Sequence, residues 1–337
     1  MRKTLATEPR LWTAVVTRRE WLHVVGALGG GALLGVACSS SAPEEAAEPA
    51  EVAPPPADDA LTAQRAAVGA APIETAQLGP DLTMLSGPGG NVLVLTGADG
   101  KVVVDTFVLP AWAALKTTLD GIGTAPITAL INTHWHFDHT DNNASFREAG
   151  ARIVAHANTA TRMSESHDLL GMHFEPAPEA ARPTETFNAT RTLTVNGETI
   201  ELAHIPPAHT DTDISVYYAK ANVLHAGDVF FNGIYPFIDA GTGGTIDGMI
   251  AGAERLLNLA GNATRIVPGH GPLTDKAGLT RYRDMLATSR DRVQKLKSAG
   301  GTLEEVQAAR PTADLDETWG MGFMMPNDFV ALVYGTL

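Results

Sequence analysis

The segment INTHWHFDHT at positions 131–140 constrains this chain more than any other feature of the sequence. Three histidines and an aspartate lie within six positions, although the 337-residue chain has only 11 histidines. The residues ITALINT, directly before the cluster, predict a strand that ends there. In extended backbone, residues two apart point the same way, so His134 and His136 face one point and Asp138 continues in that direction. His139 can turn to a neighbouring point.

Imidazole and carboxylate groups are the side chains that bind zinc and similar divalent ions. A single ion seldom uses four ligands from one short segment, whereas two neighbouring ions can. Further ligands are therefore expected at other strand ends. Three candidates each follow a run of β-forming residues and are flanked by Gly or Pro: His209, Asp228 and His270. Such positions cluster at one rim of a sheet.

Two successive parts of the chain, at about 81–187 and 191–300, each run strands first and helices after. This order predicts two sheets packed face to face with helices outside them. The dipeptide Asn196-Gly197 between two β-forming runs predicts a hairpin. Residues 166–187 contain three prolines and no clear period, so they are predicted to form a loop insert.

The segment from His134 to His139 resembles the HxHxDH motif of the metallo-β-lactamase-fold hydrolases. The later stretches AHT, GD and PGHG resemble the metal motifs that follow in that superfamily, in the same order. The resemblance covers roughly residues 75–300, and in its bridging aspartate the chain is similar to glyoxalase II and the lactonases. It implies an α/β (α+β) fold, a four-layer αββα sandwich with a dinuclear site in the cleft between the sheets.

The resemblance also implies roles for individual residues. The two expected ligand sets are His134, His136 and His209 for the first ion, and Asp138, His139 and His270 for the second ion. Asp228 would bridge both ions. Asp105 matches the superfamily's buried aspartate behind the motif, where it would orient a ligating imidazole. The expected cofactors are two divalent ions, zinc first, with manganese or iron as alternatives.

The reaction implied by the resemblance is hydrolysis by a hydroxide held between the two ions. One ion would polarise the substrate carbonyl as charge develops on it. Asp138 would orient the hydroxide or pass a proton to the leaving group. The expected substrate is a small molecule with an ester, lactone, thioester or amide bond. No side-chain nucleophile is required.

Four further residues are predicted to contact the substrate. The loop after Asp228 would bring three side chains to the pocket: Phe231, Asn232 and Tyr235. Ordinary loop packing is the alternative for these three. His173 in the predicted insert is the fourth, with a surface loop as its alternative.

The N-terminal residues have the layout of a secretory signal. TRREWL at 17–22 precedes a 14-residue apolar stretch that ends in small residues. The Arg18-Arg19 pair is typical of a twin-arginine signal. The apolar stretch is too short to span a bilayer comfortably, although a short membrane anchor is the alternative. We therefore interpret 1–37 as a twin-arginine-like signal peptide and expect a periplasmic or cell-surface protein.

Cys38 is the only cysteine in the chain. Its surroundings resemble the lipobox of bacterial lipoproteins, which predicts a lipid anchor and a possible membrane tether. Simple cleavage after Ala37 or Ala42 is the alternative. Residues 38–70 are rich in Ala, Pro and Glu without apolar periodicity and are predicted to be a disordered tether. The hydrolase domain would then occupy 71–337.

The formal net charge of −14 argues against a nucleic-acid partner, because phosphate binding needs clustered Lys and Arg. Two other functions stay open. One is a metallo-β-lactamase acting on β-lactam antibiotics. The subclass with a cysteine ligand is excluded because Cys38 lies in the leader, and the cysteine-free subclass lacks a bridging aspartate like Asp228. The other is a non-catalytic metal-binding surface lipoprotein. The oligomeric state stays open.

Overall fold

The computed structural model describes residues 57–337, with side chains from residue 60 onward. The predicted signal peptide at 1–37 and the predicted lipidation site Cys38 lie outside the described residues and stay predictions. Among the helices that are described, none is both long enough and apolar enough to cross a membrane.

A seven-stranded sheet forms the first half of the domain, in the order β1-β2-β3-β4-β5-β6-β9. Its strands are β1 (Glu74–Gln77), β2 (Leu82–Gly87), β3 (Gly90–Leu95), β4 (Lys101–Val104), β5 (Ile127–Ile131), β6 (Arg152–His156) and β9 (Glu185–Phe187). The strands from β4 to β9 pair in parallel, and those from β1 to β4 are antiparallel. A separate hairpin joins β7 (His167–Leu169) to β8 (Met172–Phe174).

The second half forms a six-stranded sheet whose strands follow chain order. They are β10 (Thr190–Val195), β11 (Glu198–His204), β12 (Ile214–Tyr218), β13 (Val223–His225), β14 (Arg265–Val267) and β15 (Thr274–Asp275). Asn196 and Gly197 both have positive φ, +52° and +70°, and connect β10 to β11 as the sequence predicts. The pair β13–β14 is parallel, so both strands end at the same rim.

Ten α-helices surround the sheets in the described residues. They are α1 (Ala57–Gly69), α2 (Trp112–Ile122), α3 (Phe137–Thr140), α4 (Asn143–Glu148), α5 (Ala157–Arg162), α6 (Ile246–Leu259), α7 (Lys276–Ser298), α8 (Leu303–Ala308), α9 (Asp316–Trp319) and α10 (Pro326–Gly335). Short 3-10 turns connect several of these elements.

Burial confirms the four-layer αββα sandwich. Side chains from both sheets, such as Val104 and Val216, share one fully buried cluster between them. On the outer face of the first sheet, Val103 packs with Leu115 of α2. On the outer face of the second sheet, a third cluster includes residues of α6, α7 and α10. Each sheet is therefore covered on both faces, which is why β3 and β4 are buried along their whole length.

Two expectations about segments without regular structure need correction. Within the predicted tether at 38–70, the described residues 57–69 form helix α1, whose Leu61 and Val68 are buried. Residues 38–56 lie outside the described residues, so that part stays a prediction. The predicted loop insert at 166–187 contains the β7–β8 hairpin and strand β9. Tertiary contacts decide both cases, since three-residue strands are too short to show a period and α1 has only a weak apolar stripe.

An ion pair attaches α1 to the domain. Arg65 donates two hydrogen bonds to Asp141, at 2.7 and 2.5 Å. Burial raises the pKa of Asp141, against the opposing effect of Arg65 and of the Leu109 backbone N–H. The side chain of Asp141 is only 8% exposed, so this carboxylate depends on its partners.

We expect Arg65→Ala to lower the free energy of unfolding by about 1–3 kcal/mol, because a buried carboxylate loses a charged partner. Lys116→Ala is the matched control, since Lys116 pairs with Asp120 on the exposed face of α2 and should cost less than about 0.5 kcal/mol. Urea denaturation of both variants gives the comparison. Equal effects of the two substitutions would contradict a structural role for the Arg65 pair.

Candidate metal centre

The predicted ligands come from four segments, each after the carboxyl end of a strand. Asp138 and His139 lie in the short helix α3, so the extended backbone predicted for this part of the chain ends before them. The segment from His134 to His139 follows β5, and His209 lies in the loop after β11. Asp228 follows β13, and His270 follows β14. These strand ends meet in the cleft between the two sheets, where the backbone N–H of Asn91 donates to the carbonyl of Gly269 across the cleft. The fold therefore brings the seven predicted ligands together.

The seven side chains form overlapping groups in which the potential ligand atoms lie within 4.8 Å of one another. The groups are His134 with His136 and His209, His134 with His139 and Asp228, and Asp138 with His139 and His270. All are buried except Asp138, whose side chain is 17% exposed. The first and third groups coincide with the two ligand sets that the resemblance implies.

Asp105 orients the imidazole of His139. Its carboxylate is 1% exposed and accepts a hydrogen bond from His139 Nδ1 at 2.8 Å. It also accepts from the backbone N–H and the hydroxyl of Thr133, each at 2.8 Å. Because that hydroxyl donates to Asp105, it is free to accept from Nδ1 of His134 at 3.0 Å. These bonds place a proton on Nδ1 of both imidazoles, so that in the neutral form of each ring the unprotonated Nε2 faces the cluster.

His136 and His209 are held in the same way by other acceptors. Nε2 of His136 donates to Asp239 at 3.1 Å, and Nδ1 of His209 donates to the carbonyl oxygen of Phe237 at 2.9 Å. The remaining nitrogens, Nδ1 of His136 and Nε2 of His209, then face each other at 2.9 Å. Two lone pairs repel at that separation unless a proton or a cation lies between them. Sequence analysis missed both Asp239 and the Phe237 carbonyl.

Asp228 borders both ligand sets. Its carboxylate oxygens lie 3.1 Å from Nε2 of His270 and 3.2 Å from Nε2 of His139. On the other side they lie 3.7 Å from Nε2 of His209 and 3.9 Å from Nε2 of His134. Burial alone would raise the pKa of Asp228, but the neighbouring imidazoles, His270 first, hold it well below its usual range. The carboxylate is therefore anionic and central to the cluster.

The pKa values of His134, His209 and His270 differ because carboxylates lie closer to His270 than to the other two rings. Burial lowers the pKa of His134 well below its usual value, and it lowers the pKa of His209 to about 4. Burial acts in the same direction on His270, but the charges of Asp228 and Asp138 outweigh it and raise the pKa to about 9. His134 and His209 of the first ligand set thus favour the neutral imidazole, which is the form that binds a metal.

The donor set fits divalent metal ions. The Nε2 atom of His134 is buried and has no hydrogen-bond partner among the described residues, which a polar atom in a protein interior rarely tolerates. In each neutral imidazole whose outer N–H has a partner described above, the other ring nitrogen directs its lone pair into the cluster. Zinc takes imidazole and carboxylate ligands of this kind, and the oriented outer nitrogens match the usual support of metal-bound histidine.

Asp213 shapes the loop that carries His209, a role that sequence analysis missed. Its carboxylate accepts hydrogen bonds from the backbone N–H groups of His209 and Thr210, at 2.8 and 2.9 Å, and from the Thr210 hydroxyl at 2.6 Å. Burial raises its pKa to about 7 against the effect of these bonds. The spacing of Asp213 from Thr210 is the one signal that could have indicated such a turn.

Close backbone approach requires glycine at one position beside the cluster. A Cβ atom at Gly269 would lie 1.9 Å from the carboxylate of Asp228. The carbonyl oxygen of Gly269 also accepts the hydrogen bond from the backbone N–H of Asn91 in β3. Gly269 therefore lets the β14 loop pass directly behind the carboxylate.

A cavity of about 540 Å³ opens above the cluster. Asp138, His209, Asp228 and His270 lie at its base, and Phe231 is part of its wall. Helix α1, the β7–β8 hairpin and the C-terminal residues from Gln307 to Leu332 supply the remaining walls. Sequence analysis did not assign α1 or the C-terminal residues to the site, because their contribution depends on how distant parts of the chain pack. From the hairpin it assigned His173 only.

Three of the predicted substrate contacts need correction. Tyr235 is fully buried, donates to Asp316 and stacks on Phe329, so it does not line the cavity. Asn232 faces a different cavity and donates to the carbonyl of Pro272. His173 projects from β8 and bonds to Asp168 on the surface. Alternation in the hairpin turns its neighbours Met172 and Phe174 inward instead.

Residues 85–270 match the family model described as the metallo-beta-lactamase superfamily. The chain belongs to this superfamily. The match includes every predicted metal ligand and Asp105. It ends before helices α7 to α10 and begins after helix α1. The parts of the cavity wall from α1 and from Gln307 to Leu332 therefore lie outside the matched region, whereas the β7–β8 hairpin lies inside it.

Two curated relatives are similar in sequence to parts of this chain. The alpha subunit of 2,4-dinitroanisole O-demethylase from Nocardioides sp. (strain JS1661) is 29% identical over 147 residues, 42% of this chain and 41% of that protein. Beta-lactamase-like protein 2 homolog from Caenorhabditis elegans is 27% identical over 195 residues, 56% of this chain and 58% of that protein. The chain thus matches about half the length of these relatives.

Solved structures show the same fold. A metallo-beta-lactamase from Pontibacter korlensis has a TM-score of 0.55 at 19% identity, covering 64% of this chain and 99% of that chain. The sec-alkylsulfatase Pisa1 from Pseudomonas sp. has a TM-score of 0.58 at 19% identity, covering 81% of this chain and 51% of that chain. At these identities the likeness concerns the fold, and these proteins differ in the bonds that their names imply.

We expect Asp105→Asn to weaken zinc affinity by about 10- to 100-fold, because an amide is a poorer acceptor for the His139 N–H. Asn tolerates the positive φ of +64° at this position, so the backbone should be preserved. Asp120→Asn on the exposed face of α2 is the control. Chelator competition measures the affinity, and an unchanged value in Asp105→Asn would remove this residue from the metal centre.

Proposed function

We propose that this protein is a metal-dependent hydrolase of small molecules with an ester, lactone, thioester or amide bond. The observation that carries the proposal is the buried group of seven imidazole and carboxylate side chains at the base of a cavity. Members of the superfamily are mostly hydrolases, which supports the reaction class. The substrate follows from the site and not from the fold.

In this proposal His134, His136 and His209 would hold one divalent ion, and Asp138, His139 and His270 would hold a second. Asp228 lies next to both ligand sets and would be shared between them. Zinc is the first choice for the ions, with manganese or iron as alternatives. Bound divalent ions would supply a Lewis acid and lower the pKa of water toward neutrality. The chain's own contribution is to orient the imidazoles, through Asp105, Asp239 and the Phe237 carbonyl.

Asp138 is the carboxylate best placed to move a proton. It lies at the base of the cavity and is the most exposed of the seven side chains. Its Oδ2 atom is 3.4 Å from Nε2 of His270 and 3.6 Å from Nε2 of His139. In the proposed reaction Asp138 accepts the proton of the attacking water and passes it to the leaving group.

We expect the zinc-loaded full chain to release acid from at least one member of a panel in a pH-stat. The panel holds a neutral aryl ester, an acyl lactone, a glutathione thioester and a β-lactam. The metal-free protein is the control. A β-lactam as the best substrate would favour the alternative of a β-lactamase, which the shared fold supports only in general terms.

Asp228→Asn tests the shared ligand. Its carboxylate is the one that contacts both sets, so we expect fewer than two ions per chain and a loss of hydrolysis of more than about 100-fold. Metal content and initial rates are measured together, with Asp120→Asn as the control. Two ions retained at full rate would contradict the shared role.

Wild-type protein that binds metal and hydrolyses nothing in a broad panel would favour the alternative of a non-catalytic metal-binding lipoprotein.

We also propose that the protein is exported and tethered to a membrane through a lipid on Cys38. The support is the sequence alone, from the arginine pair through the apolar stretch to the cysteine. Cys38→Ala should move the expressed full-length protein from the membrane fraction to the soluble periplasmic fraction. Retention in the membrane fraction would contradict lipidation, and retention in the cytoplasm of the parent protein would contradict export.

A further inference from the structure

The walls of the cavity are apolar over most of their area. Val68 of α1 and Met172 of the β7–β8 hairpin form one side. Phe237 and Phe323 form the side nearest His209 and His270, with ring centroids 5.9 and 6.4 Å from those imidazoles. Leu332 of α10 closes the outer part. A substrate above the metal centre therefore meets hydrocarbon on several sides.

The cavity wall contains no Lys or Arg among the described residues. The cation of α1 and the cation that bonds to α10 both have partners outside the cavity lining. Arg65 of α1 is paired with Asp141, and Lys297 donates to the carbonyl oxygens of Tyr334 and Leu337. The ionisable group in the outer wall is Asp328, which is acidic. A bound anion would find no cation in the outer wall and one carboxylate there.

We propose that the natural substrate is an uncharged molecule whose acyl or alcohol part is an apolar chain or ring, and that substrates bearing a carboxylate are rejected. This inference rests on the proposed hydrolase function and adds the substrate class. The transfer of an apolar group from water into such a cavity is favourable, because it removes apolar surface from water. A carboxylate in the outer cavity would lose its hydration without gaining a partner, so the cavity selects against it.

The cavity wall is shared between the matched region and the segments that flank it. The matched region, 85–270, supplies the predicted ligands and also wall residues such as Met172 and Phe237. Helix α1 precedes this region, and Gln307, Phe323 and Leu332 follow it. The selectivity therefore depends in part on α1 and on the residues that follow the match. The polar side chains that these segments add without charge are Gln64 and Gln307.

A binding experiment tests the inference without any reaction. Zinc-loaded full-length protein is titrated calorimetrically with three non-hydrolysable ketones of similar shape: valerophenone, 4-pentanoylbenzoate and the 4-trimethylammonium analogue of valerophenone. We expect valerophenone to bind at least tenfold more tightly than either charged ketone. Equal or tighter binding of the carboxylate, or tighter binding of the cation through Asp328, would overturn the inference.

Ala331 of α10 offers a matched pair of variants, because it lines the cavity and is half-buried. Ala331→Lys places a cation in the wall, and Ala331→Gln places a neutral side chain of comparable length there. Ala331→Lys should cut the preference for valerophenone over 4-pentanoylbenzoate by at least fivefold, whereas Ala331→Gln should leave it unchanged. Equal changes in the two variants would mean that the charge of the wall does not set the preference.

Reaction rates separate this inference from the proposed function. Phenyl pentanoate and its 4-carboxyphenyl analogue are compared by kcat/KM in the pH-stat, and we expect at least a tenfold preference for the neutral ester. Hydrolysis of both esters at equal kcat/KM would overturn the inference and leave the hydrolase standing. Hydrolysis of neither ester, with valerophenone still preferred in binding, would remove the ester reaction and keep the selectivity of the cavity.

Discussion

The buried carboxylate of Asp105 is the constraint on which the rest of the site depends. An ionised carboxylate removed from water is costly unless its lone pairs are filled. Here the backbone and hydroxyl of Thr133 and the ring of His139 fill them, each at 2.8 Å. The same hydroxyl orients His134. One desolvated group thus ties the end of β4 to the first ligands of both proposed metal sets.

Two further buried carboxylates position parts of the cluster. Asp239 orients the ring of His136, and Asp213 holds the loop of His209. Asp239 accepts the hydrogen bond from Nε2 of His136, so the other ring nitrogen of His136 faces the cluster. Asp213 accepts hydrogen bonds from the backbone N–H groups of His209 and Thr210 and thereby fixes the loop that carries His209. The rims of the two sheets hold these loops in place, because their strands end on the same side of the sandwich.

The shared direction of His134 and His136 and the hairpin dipeptide were readable from local chemistry alone, whereas the helical turn that carries Asp138 and His139 was not. The Asn196-Gly197 turn needs positive φ at both positions, and few other dipeptides supply it. The contacts of Tyr235 and His173 were not readable in this way. Tyr235 lies in a loop where packing on Phe329 decides its direction, and the facing of His173 depends on the register of a hairpin that has no periodic signal.

The sequence by itself determined the superfamily, the two-sheet sandwich and the gathering of seven ligand-type residues, because these depend on strand periodicity and on motif spacing. The tertiary structure alone decided which acceptors orient the imidazoles and which residues surround the cavity. The physical reason is distance along the chain. Val68 and Leu332 line one cavity although most of the domain separates them along the chain, and no local pattern predicts that two helices so far apart in the sequence share a cavity.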